Sequence, residues 1–438
     1  MRFLKPVLAL AFLLLAGLAV ACPAAAQTLN VDIAHGVKTA TPIAVVPFAQ
    51  PPGAPLSTDI SDVMSNDFNR CGQFRALPRS EIVEQPTKGA DINFGTWRLL
   101  KQDYLLIGRI ADAGGGMLQV SYELWDVNQQ QNLLNSQITG PAGNLRDIAH
   151  QIADQVYQKI TGVRGAFWTR IAYVTAVGLG DNMTYSLVVA DSDGYNPQVV
   201  ARSHEPLLSP KWSPDGKKIA YVSFEGGNSA IYIQDITTGA RQLISARRDI
   251  NGAPAFSPDG RKLLLALSYT GHEEIYSMDL ASRAETQLTH SASINTEPVF
   301  SPDGSSIYFT SDRSGQAQIY KMGVDGGSPQ RITFQGQNNA EADISYDGKK
   351  ILMVQGNGNV YRIAQMDTSL GGQMSFLSPG PTDESPSFAP NASMLLYAAV
   401  ENGRGVLYAE SADGQVRQRL VLAQGDVREP AWGPYRQR

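Results

Sequence analysis

A seven-residue signature returns every 44 residues from position 210 to the end of the chain, and all five intervals keep the same step. It reads Pro210-Lys-Trp-Ser-Pro-Asp-Gly216, Pro254-Ala-Phe-Ser-Pro-Asp-Gly260 and Pro298-Val-Phe-Ser-Pro-Asp-Gly304. Weaker copies follow at Ala342-Asp-Ile-Ser-Tyr-Asp-Gly348, Pro386-Ser-Phe-Ala-Pro-Asn-Ala392 and Pro430-Ala-Trp-Gly-Pro434. A fixed period near this length marks four-stranded sheets repeated radially, a β-propeller. Such a scaffold is rigid, and function is expected on the loops at its ends.

Each unit reads as strands separated by turns. In Ser-Pro-Asp-Gly, Pro pre-sets φ, Asp caps the local backbone and Gly accepts a positive φ. A β-rich run follows in each unit: Lys218–Ser223, Leu263–Ser268, Ile307–Ser311. A third strand ends in Asp at a constant offset (Asp235, Asp279, Asp367), and a shorter fourth strand is expected around Leu243, Leu288-Thr289 and Ile332-Thr333. One step back from Pro210 lies Ala166, where Phe167–Val174 matches a second strand but no first strand precedes it. At the far end, residues 430–435 form a first strand with nothing after it. The two fragments are expected to complete one blade, which ties the ends of the ring together and leaves no open edge. The fold expected is therefore two-domain: a small N-terminal α/β domain, then a six-bladed β-propeller closed by the C-terminal strand.

The chain opens with Arg2 and Lys5, an apolar run from Val7 to Val20, and Ala24-Ala-Ala26. That order is a secretory signal peptide, with cleavage expected after Ala26. The apolar run is too short for a membrane span, and no later segment offers a transmembrane span. Lipidation at Cys22 is the rival reading of this end. Cleavage after Ala26 leaves Cys71 as the single thiol, so no disulfide within the chain is expected. Cys71 reads as a small packed residue at a helix end, with Gly72 as the C-cap. The expected boundaries are 1–26 for the signal peptide, 27–162 for the N-terminal domain and 163–438 for the propeller. In the N-terminal domain, 42–47 reads as a buried strand and 57–70 as a helix. Residues 104–110 and 118–125 read as strands around Gly114-Gly-Gly116. Apolar spacing predicts a helix over 145–160, with Asn144 as N-cap and Gly162 beyond its end.

Several chemistries find no support. The net charge is −5 without a basic stripe, which argues against nucleic acid as a partner. No Gly-x-Ser-x-Gly elbow is present to expose a nucleophile. The five histidines show no metal-ligand spacing, so no metal and no cofactor are expected. Asp191-Ser-Asp193-Gly resembles a fragment of a calcium loop but reads better as a turn. A secreted propeller-containing hydrolase and a small-ligand-binding propeller are the alternatives from other classes.

The domain order, the opening Pro42-Ile-Ala-Val-Val-Pro-Phe48 and the Ser-Pro-Asp-Gly units together resemble the TolB family, periplasmic components of Tol–Pal systems. Asn295-Thr-Glu-Pro298, Gly326–Thr333, Asp383-Glu-Ser-Pro386 and Pro430-Ala-Trp-Gly-Pro434 add more specific matches. The resemblance covers essentially the whole chain. It implies a periplasmic, non-enzymatic adaptor, monomeric before complex formation. The propeller would bind the lipoprotein Pal, and the mature N-terminal segment would bind TolA. Other Tol or outer-membrane components and bacteriocins are further partners it suggests. The implied physiological role is outer-membrane integrity and constriction during cell division.

Two sets of residues are candidates for those contacts. Connections between one blade and the next recur with polar residues in register: Asn251, Asn295 and Asn339 three places before the unit start, and Glu297, Glu341 and Glu429 one place before it. With Asp249, Ile250, Thr296, Asp383 and Glu384 they are expected to converge on one channel mouth as a polar, acidic rim. Clustered carboxylates there would speed encounter with a basic partner and fix its register. The resemblance assigns Thr296 and Glu297 to the Pal-facing surface. It assigns Thr28, Leu29, Asn30, Val31, Asp32 and Ile33 to the TolA-facing segment. By itself, that segment reads as a short extended piece, either loose or paired with a sheet edge.

Overall fold

The computed structural model describes residues 31–33, 40–53, 56–369, 372–420, 422 and 425–437. The signal peptide, Cys22 and the expected TolA-facing residues Thr28, Leu29 and Asn30 lie outside them. A short strand, β1 (Val31–Ile33), precedes the N-terminal domain. That domain comprises β2 (Thr41–Val45), α1 (Ile60–Arg70), β3 (Phe74–Ala76), α2 (Phe94–Leu99), β4 (Tyr104–Gly114), β5 (Met117–Asp126), β6 (Gln131–Pro141) and α3 (Leu145–Thr161). Its sheet runs β3-β2-β4-β5-β6, with β2 parallel to both neighbours and the rest antiparallel.

Local chemistry sets the helix ends. Asp59, rather than Ser57, caps α1 by accepting from the N–H groups of Ser61 and Asp62. Asn144 makes no side-chain cap, because a 3₁₀ turn (Ala142–Asn144) leads straight into α3. Gly162 ends α3 in the left-handed region at φ 78°, as the sequence predicts. Cys71 is fully buried at the end of α1, and burial pushes its thiol up to about 12. The sequence reading missed β3, α2 and β6. β6 (QNLLNSQITGP) is rich in amides and mostly only partly buried, so its apolar signal is weaker than that of β4 and β5.

The propeller has six blades, each built from four strands of the repeat, with β1 added as a fifth strand to blade 6. Blade 1 joins the inner strand Asp426–Trp432 to Arg170–Val177, Thr184–Asp191 and Gln198–Ser203. Blades 2 to 6 begin with inner strands Leu207–Trp212, Asn251–Phe256, Asn295–Phe300, Asn338–Ile344 and Glu384–Phe388. Closure by the C-terminal strand thus stands as expected: Val427 pairs with Thr175, and Trp432 with Ile171. The second strand of blade 1 starts at Arg170, so Phe167 and Trp168 precede it. Phe167 packs edge-on against Phe68 of α1 and Tyr157 of α3.

The Ser-Pro-Asp-Gly turns are hydrogen-bonded units. Ser213 Oγ donates to Asp215 Oδ1 at 2.6 Å and accepts from the Lys218 N–H at 2.9 Å, and Asp215 Oδ1 accepts from the Lys217 N–H at 3.0 Å. The same pattern repeats at Ser257–Asp259, Ser301–Asp303 and Ser345–Asp347. Gly260 must take φ +71°, and a Cβ on it would lie 3.7 Å from Pro214 of the preceding blade. The turn therefore contributes to packing between blades as well as within them. The fourth strand of blade 2 (Arg241–Ser245) contains Leu243 as expected, whereas those of blades 3 and 4 end before Leu288 and Ile332, because a side chain replaces the ladder: Thr289 and Thr333 hydroxyls accept the N–H groups of Ile275 and Ile319.

Candidate partner-binding surfaces

Strand alternation gives the propeller two distinct faces. Turns joining first to second and third to fourth strands share one face; connections between blades, and second-to-third hairpins, share the other. The N-terminal domain sits on the first. Arg70 of α1 donates to Ser192 in a third-to-fourth turn of blade 1, and Asn391 in a first-to-second turn of blade 6 donates to the Arg164 carbonyl. One hydrophobic cluster runs continuously from Phe68, Ile152 and Val156 to Phe167, Tyr173 and Leu396. The tail locks the arrangement: Arg436 makes a bidentate pair with Asp147 at 2.7 and 3.0 Å and lies over Trp168. The opposite face, where the expected rim residues lie, is left open by the N-terminal domain.

Each inner strand carries a β-bulge at the same place, and its residue adopts a left-handed conformation: Ser209, Ala253, Glu297, Glu341, Ser385 and Glu429, at φ 45–54°. The inner edge faces the channel and has no strand partner, so the bulge turns N–H groups toward neighbouring blades. Glutamates meet them. Glu297 Oε2 accepts from the Glu341 N–H at 2.8 Å and from Thr310 Oγ1 at 2.7 Å. Glu341 Oε2 accepts from the Ser385 N–H at 2.6 Å, and Glu429 Oε2 from the Ser209 N–H at 3.1 Å. In each of the three bonds from a backbone N–H the acceptor belongs to one blade and the donor to the next, whereas Thr310 holds Glu297 from within its own blade. Asp343 and Ser387 repeat the device one layer deeper, toward the N–H groups of Phe388 and Trp432.

These glutamates line a channel cavity of about 160 Å³ together with Lys211 and Glu384. A second cavity of about 300 Å³ continues toward the N-terminal-domain face. Burial, reinforced by Glu297 and Glu429, pushes the Glu341 carboxyl up to about 8. Burial also raises Glu429, opposed by its hydrogen bond from Ser209. Glu297, Glu341 and Glu429 thus converge on one channel mouth as expected, but as half-buried links between blades whose carboxylates are already engaged, rather than as a rim presented to a partner.

The amides are corrected further. Asn251, Asn295 and Asn339 are completely buried and hold the connections together from beneath. Asn251 donates to the carbonyls of Ser229, Arg247 and Asp249, while its Oδ1 accepts from Ser245 Oγ and the Arg247 N–H. Asn295 binds Glu274, Ser291 and Arg313, and Asn339 binds Gln318 and the Gln335 carbonyl. Asp383 is buried as well, accepting from the Gly380 N–H at 2.7 Å.

What remains on the open face is exposed Asp249, Ile250 and Glu384, with half-buried Thr296. Ile250 is 47% exposed, and Ile294, in the equivalent place one blade on, is 52% exposed. Sequence reading missed Ile294, although its step of 44 from Ile250 was the available signal. At the other candidate surface, β1 lies antiparallel on the outer strand of blade 6 (Val416–Arg419), with Val31 opposite Gln418 and Ile33 opposite Val416. It makes blade 6 five-stranded and covers that edge. The structure therefore brings Val31, Asp32 and Ile33 to a sheet edge of the chain's own propeller.

Residues 157–436 match the family model described as the TolB beta propeller domain, and residues 29–133 match the TolB amino-terminal domain. The chain belongs to the TolB family. A Tol–Pal system protein TolB from Xanthomonas campestris pv. campestris (strain B100) is 65% identical over 412 residues, covering 94% of each chain. The one from Xanthomonas oryzae pv. oryzae (strain KACC10331 / KXO85) is 63% identical over 434 residues, covering 99% of each. Among solved structures, TolB from Acinetobacter baumannii superposes with a TM-score of 0.84 at 41% identity, covering 93% of this chain and 100% of its own. The fold and domain order described above are therefore those of TolB proteins, and the chain is a Tol–Pal system component. No helix among the described residues is long and apolar enough to cross a membrane.

Proposed function

We propose that this TolB-family chain is a non-enzymatic periplasmic adaptor whose open propeller face receives Pal and whose N-terminal segment receives TolA. The observation that carries the reading is the pair Ile250 and Ile294, which stand exposed on the face free of the N-terminal domain, a face that also carries the exposed carboxylates of Asp249, next to Ile250 in the chain, and of Glu384. An apolar anchor flanked by charge is what a specific, partly polar interface needs. TolA would compete with the edge of blade 6 for β1, because strand addition uses the same backbone groups on either partner. Through these two contacts the protein would support outer-membrane integrity and constriction at division.

The test is capture of Pal from solubilised envelopes by the wild type, by an Ile250→Asp/Ile294→Asp variant and by Val199→Asp. Val199 is equally exposed but lies on the outer strand of blade 1. Loss of about tenfold or more in affinity for the double variant alone supports the open face as the docking surface. Equal capture by all three refutes that assignment, and no capture by wild type refutes the adaptor reading.

A further inference from the structure

The densest group of buried charges lies where the N-terminal domain meets blade 1, and none of it faces either partner surface. His150 of α3 is 1% exposed. Its Nδ1 is 2.6 Å from Asp67 Oδ2 on α1, and its Nε2 is 3.6 Å from Asp193 Oδ2 in the blade 1 turn. Arg70 binds Asp67 Oδ1 and reaches across the junction to the Ser192 carbonyl at 2.9 Å and Ser192 Oγ at 2.8 Å. Arg146, one helical turn before His150, pairs with Asp193 and lies over Tyr195. Asp154, one turn after it, accepts the N–H groups of Phe167 at 2.7 Å and Trp168 at 3.3 Å. The groups that face His150 are thus Asp67 and Arg70 from α1, Arg146 and Asp154 from α3, and Asp191 and Asp193 from the propeller.

A neutral imidazole has one N–H. If it sits on Nδ1, the Nε2 lone pair faces the Asp193 carboxylate across the junction. If it sits on Nε2, the Nδ1 lone pair faces Asp67 at 2.6 Å, where only a hydrogen bond is tolerable. Only the imidazolium presents a proton to both carboxylates, as a hydrogen bond to Asp67 and as an ion pair at 3.6 Å with Asp193, where Nε2 makes no hydrogen bond. Asp67, His150 and Asp193 also place one donor atom each within 4.8 Å of one another. Guanidinium groups already occupy both carboxylates, however, so their positive charge opposes a metal cation.

We propose that His150 is a protonation-dependent latch between the two domains: as imidazolium it ties Asp67 to Asp193 of blade 1, and on losing its proton it releases the blade 1 turn. Burial acts to lower the His150 pKa, but the Asp67 and Asp193 carboxylates outweigh it, and the net direction is upward from 6.5. A histidine raised in the folded state gives stability that is full below its unfolded value and lost as pH rises through the folded one. Docking is therefore tightest below the ordinary imidazole value of 6.5 and loosens as pH rises above it. Asp154, pushed up to about 7 mainly by burial, is a second titrating group on the same helix. The His150 variant separates the two.

The test is amide hydrogen exchange of the full chain from about pH 5.5 to about pH 8.5, read as protection factors. Residues 192–196 report on the latch, and residues 263–267 in blade 3 serve as internal control. In the wild type, protection at 192–196 falls by about tenfold or more across this range while blade 3 holds. In His150→Gln, which keeps one donor and removes the imidazole titration, protection is lower at the acid end and the fall is clearly smaller than in the wild type, what remains belonging to Asp154. A flat wild-type profile overturns the proposal, and so does a fall of equal size in the variant. If the variant does not fold, the ¹³Cε1 titration of His150 in the wild type decides: a midpoint above 6.5 upholds the latch, and one at or below it refutes the latch.

Discussion

Replacing Glu297 by Ala separates two descriptions of the channel mouth. A solvated rim glutamate would be silent, within about 0.5 kcal/mol. The structure gives it two bonds, from Thr310 at 2.7 Å and from the Glu341 N–H at 2.8 Å. Hydrogen bonds to a charged acceptor contribute about 1.5–3 kcal/mol each. Half-exposure and the removal of repulsion toward Glu429 reduce that sum, so a net loss of about 2 kcal/mol is expected. At about 2.1 cal/mol/K per residue over the roughly 270-residue propeller, that is about 3–4 °C in Tm. Glu297→Gln keeps an acceptor and should retain roughly half of the stability. Differential scanning calorimetry of the three proteins at neutral pH is the assay. A Glu297→Ala transition within about 1–2 °C of wild type would refute the interblade link and restore the solvated-rim description.

Three further outcomes follow from other contacts. Gly72→Ala places a Cβ 2.8 Å from Ser411 Cβ at φ +73°, so it should destabilise by about 1–3 kcal/mol in thermal melts, with partial recovery on adding Ser411→Gly. Ser213→Ala strands the Lys218 N–H and should cost about 1–2 kcal/mol, with Ser257→Ala the same within about 0.5 kcal/mol, because the two turns share one set of bonds. Cys71, fully buried with its thiol raised to about 12, should resist alkylation at mildly alkaline pH and react only in denaturant; intact mass reads the difference, and labelling of native protein would contradict the packing.

The propeller was legible because its chemistry is local and repeated. Pro, Asp and Gly act within one turn, and the step of 44 carries the rest. The same regularity misled at Asn251, Asn295 and Asn339. A residue that builds a turn and a residue that meets a partner both recur in register, and exposure is not written in the period. The bulged strand explains Glu297, Glu341 and Glu429 in the same way: the partners they need are N–H groups one blade on, visible only once the ring is closed. Arg70, His150 and Asp193 were illegible for a different reason. Arg70 and Ser192 are 122 residues apart, and nothing in either segment announces the other. The placement of β1 had been left open between a loose end and a paired one, since three residues carry too little pattern to choose an edge.

Blade 1 takes three strands from residues 170–203 and its inner strand from residues 426–432, at the far end of the chain. During synthesis the ring consequently stays open until the last dozen or so residues have emerged. Until then the strand Arg170–Val177 has a bare inner edge, and neither the Trp432–Thr169 bond nor the Arg436–Asp147 pair exists. A copy that ends early exposes that edge to other chains and to proteases. Ring closure thus acts as a check: only a molecule that carries residues 426–432 closes its first blade.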